Sequence, residues 1–313
     1  MISNSIRIAI KYFLLLILLF FGFLYLYKNI NLVQALKSVP PKYLIIMISS
    51  TYFIFLANGL NFRYLVSVFG IHLSYKEYFG LTVSNTMFNY YIPAKGGNIT
   101  RAYYLKQKQS FQYKNYLSLL GGDYILNIFV SAFVSLVLIG LVYITKKIFY
   151  YKIFFVCGIV LLICFLIYAL AVKYLLHFSF KSKNNIISYL VQIINGLSEF
   201  NKNPQIIFKV LITNICLMIF LGIRLYFAFL SIGIDSDFFS ILIIQSLVSI
   251  SMIVSITPGN LGVKEGLIGA FSSSLGVSMP DAIFAASLDR IIAIICTFVL
   301  GFYYSRGLYS ELK

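Results

Sequence analysis

The sequence predicts an all-α polytopic membrane protein with about six full transmembrane helices and two re-entrant, broken helical hairpins in an inverted internal repeat. Of its 313 residues, 60% are hydrophobic and only 11% are charged, and the mean hydropathy is +0.91. The apolar residues occur in runs near ~20, the length of a bilayer span. A soluble domain would not bury so much apolar surface, so we expect one integral membrane domain over residues 1–313.

The apolar runs define the expected helices in order. The first run is long and lacks a small-residue cleavage site, so we interpret it as a retained helix rather than a signal peptide. The long polar loop 177–204 contains an amphipathic stretch expected at the cytoplasmic membrane surface. Pro204 is expected to begin the next helix. The expected helical segments are 8–27, 43–62, 78–92, 117–145, 150–172, 205–231, 238–257, 264–275 and 280–305.

The two halves of the chain, about 1–145 and 150–305, contain matching landmarks at a nearly constant offset. In each half a short apolar run ends in a Pro/Gly-rich, charged segment, and an aspartate follows within the next apolar run. Paired Gly/Pro-interrupted apolar segments in corresponding halves are typical of transport proteins built from repeats. The matched residues are Gly59, Gly70, Pro93 and Asp123 in the first half, and Gly222, Gly233, Pro258 and Asp289 in the second.

The net charge of +16 is carried by cations that lie between the apolar runs. Membrane topology and anionic lipid head groups explain this arrangement better than nucleic acid does. If 78–101 and 238–275 each return to the side that they came from, most of the cations lie on one face of the membrane. The positive-inside rule therefore favours re-entrant hairpins in a cell membrane, with both termini in the cytoplasm.

Neither the cysteines nor the histidines indicate a metal or redox site. The four cysteines lie within apolar runs, and the two histidines are isolated, so we expect no metal and no cofactor. Asp235 and Asp237 form a D-x-D sequence, which in glycosyltransferases can hold a divalent ion. Their position just before an apolar helix favours helix capping instead.

The two charged segments are the first tip, 89–101, and the second tip, 255–266. A helix broken at membrane depth leaves backbone groups that must face protein or a water-filled cavity. The N-terminus of the following half-helix attracts anions such as phosphate. The alternative is an ordinary loop with interfacial cations. The candidate substrate-binding residues are Lys95, Gly96, Gly97, Asn98 (also a predicted N-cap) and Arg101, then Pro258, Gly259, Gly262, Lys264 and Glu265.

Three carboxylates lie in apolar surroundings, at Asp123, Glu265 and Asp289, and such residues are usually functional. Adjacent residues on a helix do not share a face, so Arg290 is not the expected partner of Asp289. Lys264 or Arg224 is expected instead. The candidates for charge relay or gating are Asp123, Asp289, Arg290 and Arg224, although a buried ion pair that joins the two halves is an alternative. Helical spacing predicts Asn85, Asn89 and Asn127 as cavity lining.

The tips resemble motifs of the lysylphosphatidylglycerol synthase transmembrane, or flippase-like, family, over roughly 10–305. The resemblance implies a module that moves an aminoacylated phospholipid, which a separate C-terminal synthase domain makes. The sequence ends at Lys313 without such a domain, so we expect no enzyme. Gly121 and Gly122 stand where charged residues are expected, which argues against a cationic-lipid specificity. The motif residues are Asn89, Pro93, Gly96, Gly97 and Arg101, then Pro258, Gly259, Gly262, Glu265, Gly276, Val277 and Arg290.

These observations predict a flippase that moves a phosphate-bearing lipid between leaflets. The lipid would be a phospholipid, an aminoacylated phospholipid or a polyprenyl-linked lipid. The expected partners are membrane lipids and a separate lipid-modifying or glycan enzyme, and no nucleic acid. The alternatives are a secondary transporter of a small anionic solute and a membrane glycosyltransferase that uses a lipid-linked donor.

Overall fold

The computed structural model describes residues 39–92, 95–175, 203–251 and 258–310, and every regular element in these ranges is a helix. This confirms the all-α prediction. The α-helices are α1 (Pro41–Ser67), α2 (Tyr75–Tyr91), α3 (Gly97–Gln109), α4 (Tyr113–Lys146), α5 (Tyr151–Leu175), α6 (Pro204–Ser231), α7 (Phe238–Ser251), α8 (Val263–Ser273) and α9 (Met279–Ser310). The helix expected at 8–27, nearly all of the loop 177–204, and Pro93 lie outside the described residues.

Four of the described helices are long and apolar enough to cross a membrane, which confirms the membrane class. They are α1, α4, α6 and α9. The two helices that precede the tips are shorter in the part that the structure describes, with 17 residues in α2 and 14 in α7. At 1.5 Å per residue they extend about 25 and 21 Å, less than the ~30 Å hydrocarbon core.

Local sequence signals set several helix ends. Pro204 occupies the first position of α6, as predicted, where its missing N–H costs nothing. The Asp237 carboxylate accepts a hydrogen bond from the Ser240 backbone N–H at 3.0 Å, which confirms the helix-capping interpretation of the D-x-D sequence. Burial raises the pKa of Asp237, but the Lys146 ammonium (2.9 Å) and the Ser240 hydrogen bonds outweigh burial and hold the pKa below its ordinary value.

Helices α1 and α6 end in the same way. Gly70 and Gly233 have φ of +76° and +81°, a left-handed conformation that glycine adopts without steric penalty. One residue later, the backbone N–H of Ile71 and of Ile234 donates to the carbonyl five positions back, at 3.4 and 3.1 Å. This helix-terminating motif satisfies carbonyls that would otherwise lack a partner. The two halves therefore share a local structure at matching sequence positions.

Each half contains a helical hairpin with a tip between its two short arms. In the first hairpin, Glu77 near the start of α2 accepts a hydrogen bond from the Tyr104 hydroxyl at 3.2 Å and pairs with Lys108 at 3.3 Å. Helix α3 therefore returns to the end where α2 began. In the second hairpin, Phe238 at the start of α7 and Phe271 near the end of α8 belong to the same hydrophobic cluster.

The bases of the two hairpins lie at opposite ends of the long helix α4. Near its beginning, the Phe111 ring packs on Phe69 beside the first base, with centroids 5.3 Å apart. At its other end, Lys146 pairs with Asp237 beside the second base. This arrangement supports an inverted relation between the halves. The inverted repeat and the direction in which each hairpin enters a bilayer stay predictions.

Helices of each half pack against helices of the other half. The most extensive helix contact joins α1 to α6, which are equivalent in the order of elements. Helix α4 of the first half packs on α7, and helix α9 of the second half packs on α2. The hairpin of each half therefore packs against the last helix of the other half.

Candidate functional site

Both tips contribute to one polar cavity of about 340 Å³. Lys95 comes from the first tip, Lys264 comes from the second, and Asp123 projects from α4 between them. A rim of leucine and valine adjoins these polar groups. Such a volume suits a small molecule or a head group. Eight amide side chains also line the cavity: Asn58, Asn61, Asn85, Asn89, Asn98, Asn127, Asn214 and Gln245.

The first tip is closed by a hydrogen bond between helices. The Gly97 N–H, at the start of α3, donates to the Asn89 Oδ1 atom of α2 at 2.8 Å. A β-carbon on Gly97 would lie 2.1 Å from the Asn85 carbonyl oxygen, so only glycine allows this approach. The prediction that Asn98 caps α3 is wrong: Gly96 is the cap residue, and Asn98 donates to the Tyr124 hydroxyl at 3.3 Å.

The two cations of the first tip face the cavity with few polar contacts of their own. Lys95 has a left-handed backbone (φ +57°), and its ammonium lies 4.3 Å from the centroid of the Tyr124 ring. Arg101 is 5% exposed, donates to the Thr82 hydroxyl at 3.2 Å and stacks over Phe62 at 4.0 Å. Neither makes a salt bridge within the described residues, so both charges are available to an anion.

In the second tip, Glu265 and Arg290 hold the backbone rather than the cavity. Arg290 donates to Glu265 at 2.6 Å and to the carbonyl oxygens of Gly259 (2.5 Å) and Asn260 (3.2 Å). Glu265 accepts from the Gly262 N–H at 2.8 Å. Among the described residues of this tip, Lys264 alone lines the cavity. Gly96, Gly97, Pro258, Gly259 and Gly262 supply the turns that position it and Lys95.

Asp289 forms the most buried ion pair of the described region, with 1% of the side chain exposed. Arg224 reaches both of its oxygens, with Nε–Oδ1 2.6 Å and Nη2–Oδ2 3.3 Å, and the Lys264 ammonium lies 3.1 Å from Oδ2. The expectation that Lys264 or Arg224 pairs with Asp289 is therefore confirmed for both. Because Lys264 also lines the cavity, this network connects the cavity to the contact between the halves.

At the equivalent position of the first half, the uncharged amide of Asn61 takes the place of the Arg224 guanidinium. Asn61 of α1 donates to Asp123 of α4 at 2.8 Å, just as Arg224 of α6 donates to Asp289 of α9. A threonine from the opposite half completes each contact: Thr213 on Asn61 and Thr51 on Arg224, both at 3.2 Å. One half therefore has a bidentate ion pair and the other has an amide–carboxylate hydrogen bond.

The cavity and its supporting network carry an excess of positive charge. The five cations are Lys95, Arg101, Arg224, Lys264 and Arg290, and the three carboxylates are Asp123, Glu265 and Asp289. Within this set of eight residues, two positive charges are thus not balanced by carboxylates. In surroundings of low dielectric constant, such an excess attracts anions and strengthens their hydrogen bonds.

The predicted lining residues Asn85, Asn89 and Asn127 all face this cavity. Asn98, a predicted substrate-binding residue, also lines the cavity. Sequence reasoning missed Tyr124 and the remaining lining amides, which are Asn58, Asn61, Asn214 and Gln245. Asn214 was missed because it is the one amide in the interior of the apolar helix α6, where it accepts a hydrogen bond from Asn127 at 3.2 Å. An isolated amide in an apolar helix is the only signal that could have indicated it.

Comparison with known proteins covers nearly the whole chain. Residues 6–301 match the family model described as "Lysylphosphatidylglycerol synthase TM region". A UPF0104 membrane protein of Methanocaldococcus jannaschii is 22% identical over 293 residues, which is 87% of this chain and 86% of that protein. The matched region includes both tips and the network around Asp289. The chain therefore belongs to the family of the lysylphosphatidylglycerol synthase transmembrane region.

Proposed function

We propose that this protein moves a phosphate-bearing lipid between the two leaflets of a cell membrane. The observation that carries the proposal is the central cavity, where Lys95, Arg101 and Lys264 converge from two hairpin tips. Three cations around one cavity match the charge and hydrogen-bonding needs of a phosphate group. The family, a membrane region associated with a lipid synthase, agrees with a lipid-related function.

In the proposed mechanism, the head group crosses the centre of the bilayer inside the cavity while the lipid tails stay in the hydrocarbon. An ionised phosphate loses its hydration there. Without partners, the free energy of this dehydration would exclude the phosphate from an apolar medium. The cations and the amides replace that hydration shell. The ion pair between Asp289 and Arg224 lies within the second half, and Arg224 also donates to Thr51 of the first half at 3.2 Å. A rocking motion of the halves would therefore turn about the contact between Arg224 and Thr51.

The proposed topology puts both termini in the cytoplasm, with the two hairpins entering from opposite faces. Single cysteines in place of Lys106 and Lys152, both exposed, test it in a cysteine-free background. We expect a membrane-impermeant thiol reagent added to intact cells to label position 152 but not position 106. Labelling at both positions, or at neither until the cells are permeabilised, would exclude this topology.

Lipid movement can be measured in vesicles that contain the purified protein and a trace of tail-labelled fluorescent phosphatidylglycerol. Dithionite destroys the fluorophore in the outer leaflet, and the inner probe survives unless it crosses. We expect protein-containing vesicles to lose the protected fluorescence and protein-free vesicles to keep it, with and without an imposed pH gradient. Retention of the protected fraction in both conditions would reject lipid translocation for this probe, and uptake of a soluble anion would then favour a solute transporter.

A further inference from the structure

Four side chains that line the cavity each have a buried polar atom without a hydrogen-bond partner in the described part of the chain. These side chains are each more than nine-tenths buried: Arg101 (5% exposed), Asn85 (8%), Asn214 (2%) and Gln245 (3%). The atoms are Arg101 Nε, Asn85 Oδ1, Asn214 Nδ2 and Gln245 Oε1. A buried polar atom that makes no hydrogen bond costs about 1–3 kcal/mol, so these four positions favour a ligand that supplies the missing bonds.

The four atoms require both donors and acceptors from that ligand. Arg101 Nε and Asn214 Nδ2 donate, whereas Asn85 Oδ1 and Gln245 Oε1 accept. A phosphate oxygen only accepts, so it can serve the first pair but not the second. An ammonium group only donates, so it can serve the second pair but not the first. A hydroxyl group donates and accepts, and it also suits either orientation of an amide.

Charge repulsion argues against an amine-bearing head group more strongly than the hydrogen-bonding pattern does. A lysyl or ethanolamine group would enter a cavity that already contains the ammonium groups of Lys95 and Lys264 and the guanidinium of Arg101. Asp123 is the one carboxylate among the described lining residues, and Asn61 already donates to it. Repulsion between like charges in a confined site lowers the affinity for a ligand that carries an ammonium group, and such repulsion contributes to specificity.

We infer that the head group is a polyol or a sugar joined to the lipid through phosphate, rather than an aminoacyl or amine-bearing group. The phosphate pairs with the cations of the tips, and the ring or chain hydroxyls bond to the lining amides. This inference rests on the proposed lipid movement. The same hydroxyl-and-phosphate chemistry is present in a free sugar phosphate, so the experiment includes that source.

The test compares four fluorescent lipids with identical tails in the vesicle assay: phosphatidylinositol, phosphatidylglycerol, phosphatidylethanolamine and phosphatidic acid. We expect phosphatidylinositol to cross roughly tenfold faster than phosphatidic acid, as one or two additional hydrogen bonds would give. Phosphatidylethanolamine should be the slowest. This ranking in the unmodified protein needs no mutation and cannot be confused with a folding defect.

Variants connect the ranking to the lining amides. Gln245→Met and Asn85→Leu remove an acceptor while keeping a similar size, and each should lower the ratio of the phosphatidylinositol rate to the phosphatidic acid rate several-fold. A folding defect would lower both rates and leave the ratio unchanged. Gln107→Met is the matched control, because Gln107 is an exposed amide on α3 and should not change the ratio.

The possible outcomes separate the two proposals. Equal rates for all four lipids, or a preference for phosphatidylethanolamine, would overturn the head-group inference and leave lipid movement standing. Uptake of free inositol phosphate with no lipid movement would overturn lipid translocation and support the hydroxyl-and-phosphate chemistry. Movement of neither lipids nor inositol phosphate would overturn both proposals.

Discussion

Asp289→Asn is expected to destabilise the folded protein by about 3–5 kcal/mol, the cost of leaving a buried ion pair without one partner. The side chain is 1% exposed and holds Arg224 and Lys264 at 2.6 and 3.1 Å. Asparagine has nearly the same shape but no charge, and its NH₂ group would face a cation. Two buried positive charges would then repel each other at the contact between the halves.

Asp123→Asn is the matched control, because Asp123 occupies the equivalent position in the first half. Its hydrogen-bond partner is the neutral amide of Asn61 at 2.8 Å, which can turn to meet another amide. Thermal melts of the detergent-solubilised protein, followed by size-exclusion chromatography, should show a large loss of stability for Asp289→Asn and a small one for Asp123→Asn. Equal melting temperatures for the two variants would contradict the assigned roles of the ion pair and the hydrogen bond.

Features that depend on neighbouring residues were predicted well from the sequence. Pro204 begins α6 and Asp237 caps α7, because a proline at the first turn and an aspartate before a helix act within a few residues. The partners of Asp289 were also predicted, since few cations lie in apolar surroundings and helical geometry excludes Arg290. In each case the competing possibilities were few.

Apart from the partners of Asp289, features that depend on residues distant in the sequence were not predicted. Asn98 does not cap α3, because Asn89 on the preceding helix already supplies the acceptor for Gly97. Likewise, Asn58 and Gln245 each lie within an apolar helix. Such residues commonly form hydrogen bonds between helices, so their direction toward a cavity follows only from the packing of α1, α6 and α7.

The geometry also distinguishes two residues that the sequence assigned to the same role. Lys264 and Glu265 are adjacent, and both were predicted to bind substrate. In the structure Lys264 faces the cavity, whereas Glu265 is bound by Arg290 and by the backbone of its own tip. The sequence pattern could not distinguish the roles of these two residues, because the turn of the second tip determines which side chain points into the cavity.

Removing the cavity cations should abolish transport while preserving the fold. A charge-assisted hydrogen bond contributes about 1.5–3 kcal/mol, which corresponds to roughly a 10- to 150-fold change in rate or affinity. Lys95→Met and Lys264→Met should each slow phosphatidylglycerol movement within that range, and the double variant should fall to the protein-free rate. Lys114→Met is the control, because this lysine is exposed in the first turn of α4.

The two single variants should also differ from each other. Lys264 already pairs with Asp289, so part of its charge is neutralised before any phosphate arrives. Lys95 contacts the Tyr124 ring and forms no salt bridge among the described residues, so more of its charge is available to a phosphate. We therefore expect the larger loss of rate from Lys95→Met, with a melting temperature near that of the unmodified protein. Lys264→Met should have a lower melting temperature, because it removes one partner of the buried Asp289. A double variant that still moves lipid at the normal rate would exclude these lysines as the phosphate-binding groups.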